Sequence, residues 1–506
     1  MQQLYGFKPS QHALLKLTGS FFNPGPYAGY LAVVVPMAIY YWVDGTRMTR
    51  VGRIGADENS ENNSNRWGLW VKSAMTIGIK IFAAVTCIAI ILVLPAAMSR
   101  AAWLAAVAGS VIVLFMSKKI KIRVNQCHPR HLRSIVLAII ICLMICLVGI
   151  YYLKKDSADG RLLTWKVSLS VIKKHPFGVG LGHFPGAYGD AQAAYFASGK
   201  ASETEEYVAG NPEYGFNEFL QIAIESGVIS LLLFAGMIIS AFRGLMKTRD
   251  WGVMGALAAM LVFAFFSYPF SLLPFLIVFV FLLVLSVPEK KFSVFSFQFS
   301  EKNKSVLIHS IRVICVPVLC VIVTAFCLSK QYPVYKAYKQ WKSNQYDYQA
   351  DLYEATINTL SPLYPYLNDR IRFLFEYGRS LSQMEHYEKS NEVLRRAMQI
   401  SCDPMLYNIM GKNCQALKQY PEAEQCFIKS SHIVPSRLYP HYLLMKLYLE
   451  MGEEEKTKAA AQIVLTKEPK VPSTAVKEMR DEARKIIADY KPEISLFPSG
   501  KHHIDD

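Results

Sequence analysis

The sequence predicts an all-α protein in two parts, a helical membrane domain followed by an α-solenoid. Three observations predict it. Apolar residues make up 52% of the 506, mean hydropathy is +0.21, and charged residues reach only 19%, below the usual quarter. The apolar excess lies before Ser329. Beyond that point, small and bulky residues recur at a spacing of about 34 positions, the mark of a stacked helical repeat.

About eight apolar segments are long enough, or nearly so, to cross a bilayer core of roughly 30 Å. They run near Pro26–Val43, Gly78–Met98, Ala101–Met116, Leu132–Leu153, Ile222–Phe242, Gly252–Phe270, Leu272–Val287 and Val306–Leu328, the third and seventh being short. Lysine and arginine cluster after the odd-numbered spans, at Arg47–Lys72, Lys118–Arg133, Arg243–Arg249 and Lys290–Lys304. That bias faces the cytoplasm. The N-terminus, the Lys154–Gln221 loop and the C-terminal part then fall outside, in the periplasm of a Gram-negative cell. Met1–Gly19 lacks the basic start and apolar core of a signal peptide. A chain that begins outside either lacks spans upstream of Met1 or translocates its own short N-terminus.

The formal charge of +16 sits in short clusters between spans, a pattern for anionic lipid surfaces rather than nucleic acid. The ten cysteines form no CxxC pair and no metal-ligand spacing, so neither a metal nor a cofactor is expected. Most lie in or beside apolar spans and read as small hydrophobes.

Two arginines stand out on the expected outer side. Arg100 lies in the tight turn Met98–Trp103, against the charge bias; it either binds an anion through its paired donors or snorkels to the interface. Arg161 opens a segment in which Leu162, Trp165, Leu169 and Ile172 recur at helical spacing, the pattern of a helix lying in the membrane interface. It either anchors to lipid headgroups or serves a site. The following stretch, His175–Glu225, alternates glycines with Phe177, His183, Phe184 and Tyr188, turns acidic at Glu203–Glu206, and runs into an apolar helix. Glycine-rich aromatic loops between membrane helices are where chemistry is expected.

The C-terminal repeat takes shape once Gly411 is set at position eight of a 34-residue unit. Tyr407, Met410, Ala423, Phe427 and Pro435 then fall in register; Leu444, Tyr448, Ala461 and Pro469 follow one unit later, and Leu374, Tyr377, Gly378, Leu394 and Ala397 precede it. This is the tetratricopeptide pattern, with a weaker unit over Tyr335–Leu360. Small residues at Gly411 and Ala423 let paired helices approach. Cys414 and Cys426 read as buried thiols rather than a disulfide. The domains are therefore residues 1–330, with the large outer loop at 154–221, a repeat domain at 331–490, and a disordered tail at 491–506.

In order along the chain, Gly19-Ser-Phe-Phe-Asn-Pro24, Ser99-Arg100-Ala101, Gly160-Arg161 with Trp165, Pro176-Phe-Gly-Val-Gly-Leu-Gly182, and Asn217-Glu-Phe-Leu-Gln221 with Glu225-Ser-Gly227 resemble motifs of the O-antigen ligase/polymerase superfamily. One branch of that group carries a tetratricopeptide domain. The resemblance implies transfer of a glycan from a polyprenyl-pyrophosphate carrier to an acceptor hydroxyl, without metal, at the outer face of the bacterial inner membrane. The acceptor is lipid A core or protein; polymerase and protein O-oligosaccharyltransferase activities are the enzymatic alternatives. It implies Arg100 and Arg161 for the pyrophosphate, and Asn23, Gly180, Gly182, Asn217 and Gln221 as substrate-binding residues. The histidine that commonly serves as base precedes the Asn of the last motif, where this chain has Phe216. Glu213, Glu218 and His183 are the substitutes. Relatives usually carry several more spans before the Asn-Pro motif, again suggesting missing N-terminal spans. The non-enzymatic alternative is a membrane-anchored scaffold for envelope assembly, binding membrane lipids and, through its repeats, a protein partner.

Overall fold

A computed structural model of the protein describes residues 17–43, 66–116, 149, 152, 155–288, 304–470 and 472–489. Every regular element among them is helical, and the chain forms a helical membrane domain and a helical solenoid. Two compact units emerge. The first gathers the described residues of Met1–Phe184 and Tyr214–Val313; the second gathers those of Pro185–Glu213 and Ile314–Asp506. Residues Pro185–Glu213 lie in the stretch read from sequence as the first domain's outer loop, and they fold with the solenoid.

In the first unit, Pro24–Val43, Ile77–Ala97 and Glu218–Thr248 are long and apolar enough to cross a bilayer. Arg100–Met116, Trp251–Phe266 and Leu273–Ser286 are apolar but shorter. The span expected over Gly252–Phe270 stops at Phe266, because Ser267 turns extended and Pro269 opens a 3-10 turn through Ser271. The span expected at Leu132–Leu153 lies outside the described residues apart from positions 149 and 152, and the tail at 491–506 lies wholly outside them.

Small residues decide how these helices meet. In lipid, apolar area gives no drive for helix association, so close backbone approach must supply it. The Trp251–Phe266 helix is buried along most of its length, with Gly255 against Pro36 and Gly109 and Ala259 against Gly109. A Cβ on Gly109 would stand 2.5 Å from the Gly255 carbonyl oxygen, and one on Gly29 would stand 2.2 Å from the Phe263 ring. The outer faces, such as Ile81, Phe82, Val85 and Ile88, are exposed as a lipid-facing surface requires.

In the second unit, the helix pairs Ile371–Gln383/Tyr387–Ile400, Pro404–Ala416/Tyr420–Ile433 and Tyr439–Met451/Glu454–Thr466 stack in sequence, and Thr474–Asp489 packs on the last of them. The repeat reading is visible in the packing. Gly378 lies against Leu394 and Gly411 against the Phe427 ring, where a Cβ would come within 2.9 and 2.4 Å. In the third pair the equivalent positions hold Met445 and Ala461, large and small exchanged, and both are fully buried. The turn within each pair uses one left-handed residue: Glu385, Lys418 and Gly452. Only the third is glycine, so the first two carry a small strain that the stack enforces. At the start, Ala337, Trp341 and Leu360, within the span of the weak unit, are buried with Leu363 and Phe373 just beyond it.

Candidate functional site

The Lys155–Lys174 helix positions the first candidate. Leu163, Val167 and Val171 form its buried face. The stripe read from sequence lies to one side: Leu162 and Leu169 are exposed, as befits a helix with protein beneath and lipid beside it. Trp165 meets the Phe265 ring edge-on at 5.4 Å. In the first turns Arg161 turns inward. Its Nη1 donates to the Phe266 carbonyl at 3.0 Å, and its Cζ stands 5.2 Å from the centre of the Phe216 ring.

That carbonyl is available because the Trp251–Phe266 helix ends there, leaving its last C=O groups without intrahelical partners. Burial pulls the Arg161 guanidinium below its ordinary range, and the positive charge of Arg100 adds to the effect; Tyr268 opposes it. The charge of Arg100 thus reaches the Arg161 guanidinium. Arg100 itself opens the Arg100–Met116 helix, and the turn before it is pinned by Trp103, whose Nε1 donates to the Leu94 carbonyl at 2.9 Å.

Phe216 does more than occupy the expected base position. It is left-handed, with φ +47°, a conformation uncommon for a bulky residue. Its ring lies edge-on to Tyr268 at 5.8 Å, and Tyr268 stacks on Tyr214 at 4.4 Å with planes 8° apart. An aromatic wall therefore runs from the guanidinium of Arg161 across Phe216 and Tyr268 to Tyr214.

The residues after Phe216 hold the frame. The Asn217 side chain caps the Glu218–Thr248 helix, accepting from the Phe219 and Leu220 N–H groups at 3.0 and 3.1 Å. Glu218 is buried and accepts from the Phe270 N–H at 2.6 Å and from that of Ser271, which ties the helix start to the Pro269–Ser271 turn. Gln221 accepts from the Gly215 N–H at 3.2 Å and donates to Glu225 at 3.5 Å.

The glycine loop is docked along its backbone. The Glu218–Thr248 helix breaks at Gly227, with φ 89° and ψ 167°. Into the break come three main-chain hydrogen bonds: Val179 N–H to Ile224, Gly180 N–H to Glu225, and Val228 N–H to Pro176, at 2.8 to 2.9 Å. Gly178 and Gly227 press together, a Cβ on either falling 2.6 Å from the other segment's backbone. The Glu225 carboxylate accepts from the Gly182 and Phe184 N–H groups. What remains free to meet a ligand is the tip, where Phe177 and Leu181 are 82% and 78% exposed.

His183 sits beside Glu225 with its Nδ1 3.0 Å from the Leu181 carbonyl. Asn23 forms a local turn, accepting from the Gly25 N–H at 3.1 Å at the start of the Pro24–Val43 helix. Glu213 is exposed and belongs to the other unit. Sequence reading missed Tyr268 and the Phe266 carbonyl, which lie in an apolar span and its turn and carry no motif. It quoted Glu225 and Gly227 without assigning them a role; a glycine interrupting a strongly apolar helix was the available signal. Among the described residues no three His, Cys, Asp or Glu side chains gather as a metal-ligand group.

Apolar spans, with Arg161 held against an aromatic wall, define a helical membrane protein. Residues 85–235 match the family model described as O-Antigen ligase, and the chain carries a domain of that family there. The match takes in Arg100, Arg161, the glycine loop, Phe216 and Gly227, and it supports lipid-linked glycan transfer in general. No curated protein matches the chain. A crystal structure of MamA protein is similar at 16% identity over 33% of this chain and 98% of that one; its TM-score of 0.24 is too low to bear on the fold.

Proposed function

We propose that this protein transfers a glycan from a polyprenyl-pyrophosphate carrier to an acceptor hydroxyl at the outer face of the bacterial inner membrane, with the repeat domain in the periplasm. One observation carries the reading: Arg161 is held half-buried by the Phe266 carbonyl and the Phe216 ring, and the charge of Arg100 acts on it. Two like charges brought together and partly desolvated are costly alone and are stabilised by an anion between them. A leaving pyrophosphate, whose negative charge grows as the bond to the sugar breaks, is such an anion.

In this mechanism the acceptor oxygen attacks the anomeric carbon, the carbon–oxygen bond to the carrier breaks, and the electron pair leaves on the pyrophosphate held by Arg161 and Arg100. The acceptor proton goes to His183. With Nδ1–H donated to the Leu181 carbonyl, Nε2 is the basic nitrogen. Glu218 and Asn217 hold the helix start, and Gln221, Gly180 and Gly182 hold the loop; Phe216, Tyr268 and Tyr214 offer flat apolar faces to sugar rings. Asn23 holds the turn into the Pro24–Val43 helix.

Arg161→Gln and Arg100→Gln are each expected to lower transfer from a lipid-linked donor in membranes by about 100-fold or more, with membrane abundance unchanged. Transfer at the unaltered rate in both variants overturns the site. Separating lipopolysaccharide and proteins from a deletion strain by gel, with glycan staining, distinguishes lipid A core, a growing glycan and protein as acceptor.

A further inference from the structure

The 34-residue repeat presents a strip of equivalent positions, and the chain's own loop occupies it. Gln399, Ile433 and Lys467 stand 34 residues apart, each at the end of the second helix of a pair. Each meets the Pro185–Glu213 segment. Gly186 lies so close to Gln399 that a Cβ would be 2.3 Å from its carbonyl oxygen. The Gln192 amide donates to the Ile433 carbonyl, and Lys467 pairs with Glu206 at 3.8 Å. Between these points Cys402 faces Gly189, where a Cβ would fall 2.4 Å from the cysteine Cβ, and its thiol donates to the Pro212 carbonyl at 3.6 Å. Lys429 pairs with Asp190 at 2.6 Å.

The chemistry of the strip follows from helix ends. The last carbonyls of a helix lack N–H partners, and Gln192 supplies one to Ile433. The same amide donates to the Gly210 carbonyl at 2.7 Å, so one buried side chain ties the outgoing and returning arms of the loop to the repeat edge. Tyr188 donates to the Gln192 side-chain oxygen and completes its bonding.

Both arms lead to the candidate site along the chain. The Phe184–Ala197 helix begins with a residue of the first unit and continues in the second; the return passes from Glu213 to Tyr214, two residues before Phe216. We propose that the repeat edge is an intramolecular clamp whose role in transfer is positional: it fixes the arms that place the Gly182–Phe184 N–H groups on Glu225 and Phe216 on Arg161. The occupant of this edge is the chain's own loop, in place of an external protein. The proposal rests on the glycan-transfer reading above.

The test uses the full-length protein in its membrane, with Gly189→Ala, Gln192→Leu and the pair Gly189→Ala/Cys402→Gly. Alanine strengthens an isolated helix relative to glycine, so any loosening from Gly189→Ala comes from docking. Two readouts are taken: the rate of protease cleavage within Pro185–Glu213, and glycan transfer. Both single variants are expected to expose the loop to protease and to lower transfer on the order of 10- to 100-fold, the scale of a misplacement near 1 Å. The pair, in which the added methyl takes the space of the removed side chain, restores both. A loop that becomes cleavable with transfer unchanged overturns the positional role. Unaltered cleavage in both single variants overturns the clamp. Arg161→Gln that keeps its transfer defeats the glycan-transfer reading instead, and the cleavage rates still judge the clamp.

Discussion

Gly227→Ala is the perturbation that most directly tests how the site is built. Gly227 has φ 89° and ψ 167°, in the region that essentially only glycine occupies. Forcing alanine there costs about 1–3 kcal/mol. The added Cβ also falls 2.6 Å from the Phe177 carbonyl carbon, which is main chain and cannot swing aside. Relief requires the Pro176–Gly180 segment to lift off the break. That endangers three hydrogen bonds at 2.8 to 2.9 Å, each worth about 1 kcal/mol net. With all three lost, the expected destabilisation is roughly 4–6 kcal/mol.

Gly236→Ala in the same helix is the control, since a Cβ there meets nothing within 4 Å. It is expected to be neutral or to gain up to about 1 kcal/mol from helix propensity. Unfolding of the purified protein in mixed micelles, run on both variants, measures the difference. Equal stability of the two variants refutes the account of the break as a glycine-dependent dock. A Gly227→Ala protein that is destabilised yet transfers glycan normally refutes the assignment of the docked loop to the site.

Other residues make separate demands. Gly411→Val drives a branched side chain into the Phe427 ring, 2.4 Å from where its Cβ would lie, and is expected to destabilise the solenoid by about 1–3 kcal/mol in a thermal melt. Trp341→Phe removes the indole donor that Glu376 accepts at 2.6 Å in a buried place, with an expected cost of about 1–3 kcal/mol. His441 is pushed down from the ordinary histidine value of 6.5 to about 4 by burial, with the charges of Lys467 and His432 adding to it. Between those values the unfolded chain binds a proton that the folded chain does not. Solenoid stability therefore falls as pH drops from about 6.5 toward 4, by roughly 2–3 kcal/mol, and a His441→Gln variant followed by circular dichroism against pH is expected to lose most of that slope.

The repeat was legible because its determinants are local and periodic. Gly411 against Phe427 and Gly378 against Leu394 are pairs sixteen residues apart, and a spacing that recurs declares its partner. The spans were legible for a similar reason, since hydropathy averages over a window and needs no tertiary knowledge. The candidate site was legible in its cations and its motif residues, from Gly180 to Gln221, but not in what those residues touch. Arg161 stood out by charge, but its carbonyl partner Phe266 lies 105 residues away and its ring partner Phe216 was noticed for the base it is not. A main-chain acceptor has no residue type to search for. Tyr268 and Tyr214 escaped for the converse reason, being ordinary aromatics until the turn at Pro269 brings their rings together.

The fate of the polar stretch His175–Glu225 shows what composition conceals. Read as one loop, it has a single job. In the fold it serves two units, and its glycines divide accordingly. Gly178 and Gly180 have positive φ and serve the helix break at Gly227, a backbone requirement. Gly186 and Gly189 lie within the Phe184–Ala197 helix, where no unusual dihedral is needed; they are small because Gln399 and Cys402 stand where a side chain would go. Substitution by alanine separates the two kinds. At Gly178 the backbone strain remains whatever is carved away opposite. At Gly189 a matching cavity at Cys402 can remove the cost. Glycines that look alike in sequence thus report different physics, and the second kind marks where a membrane enzyme's loop has been handed to another domain.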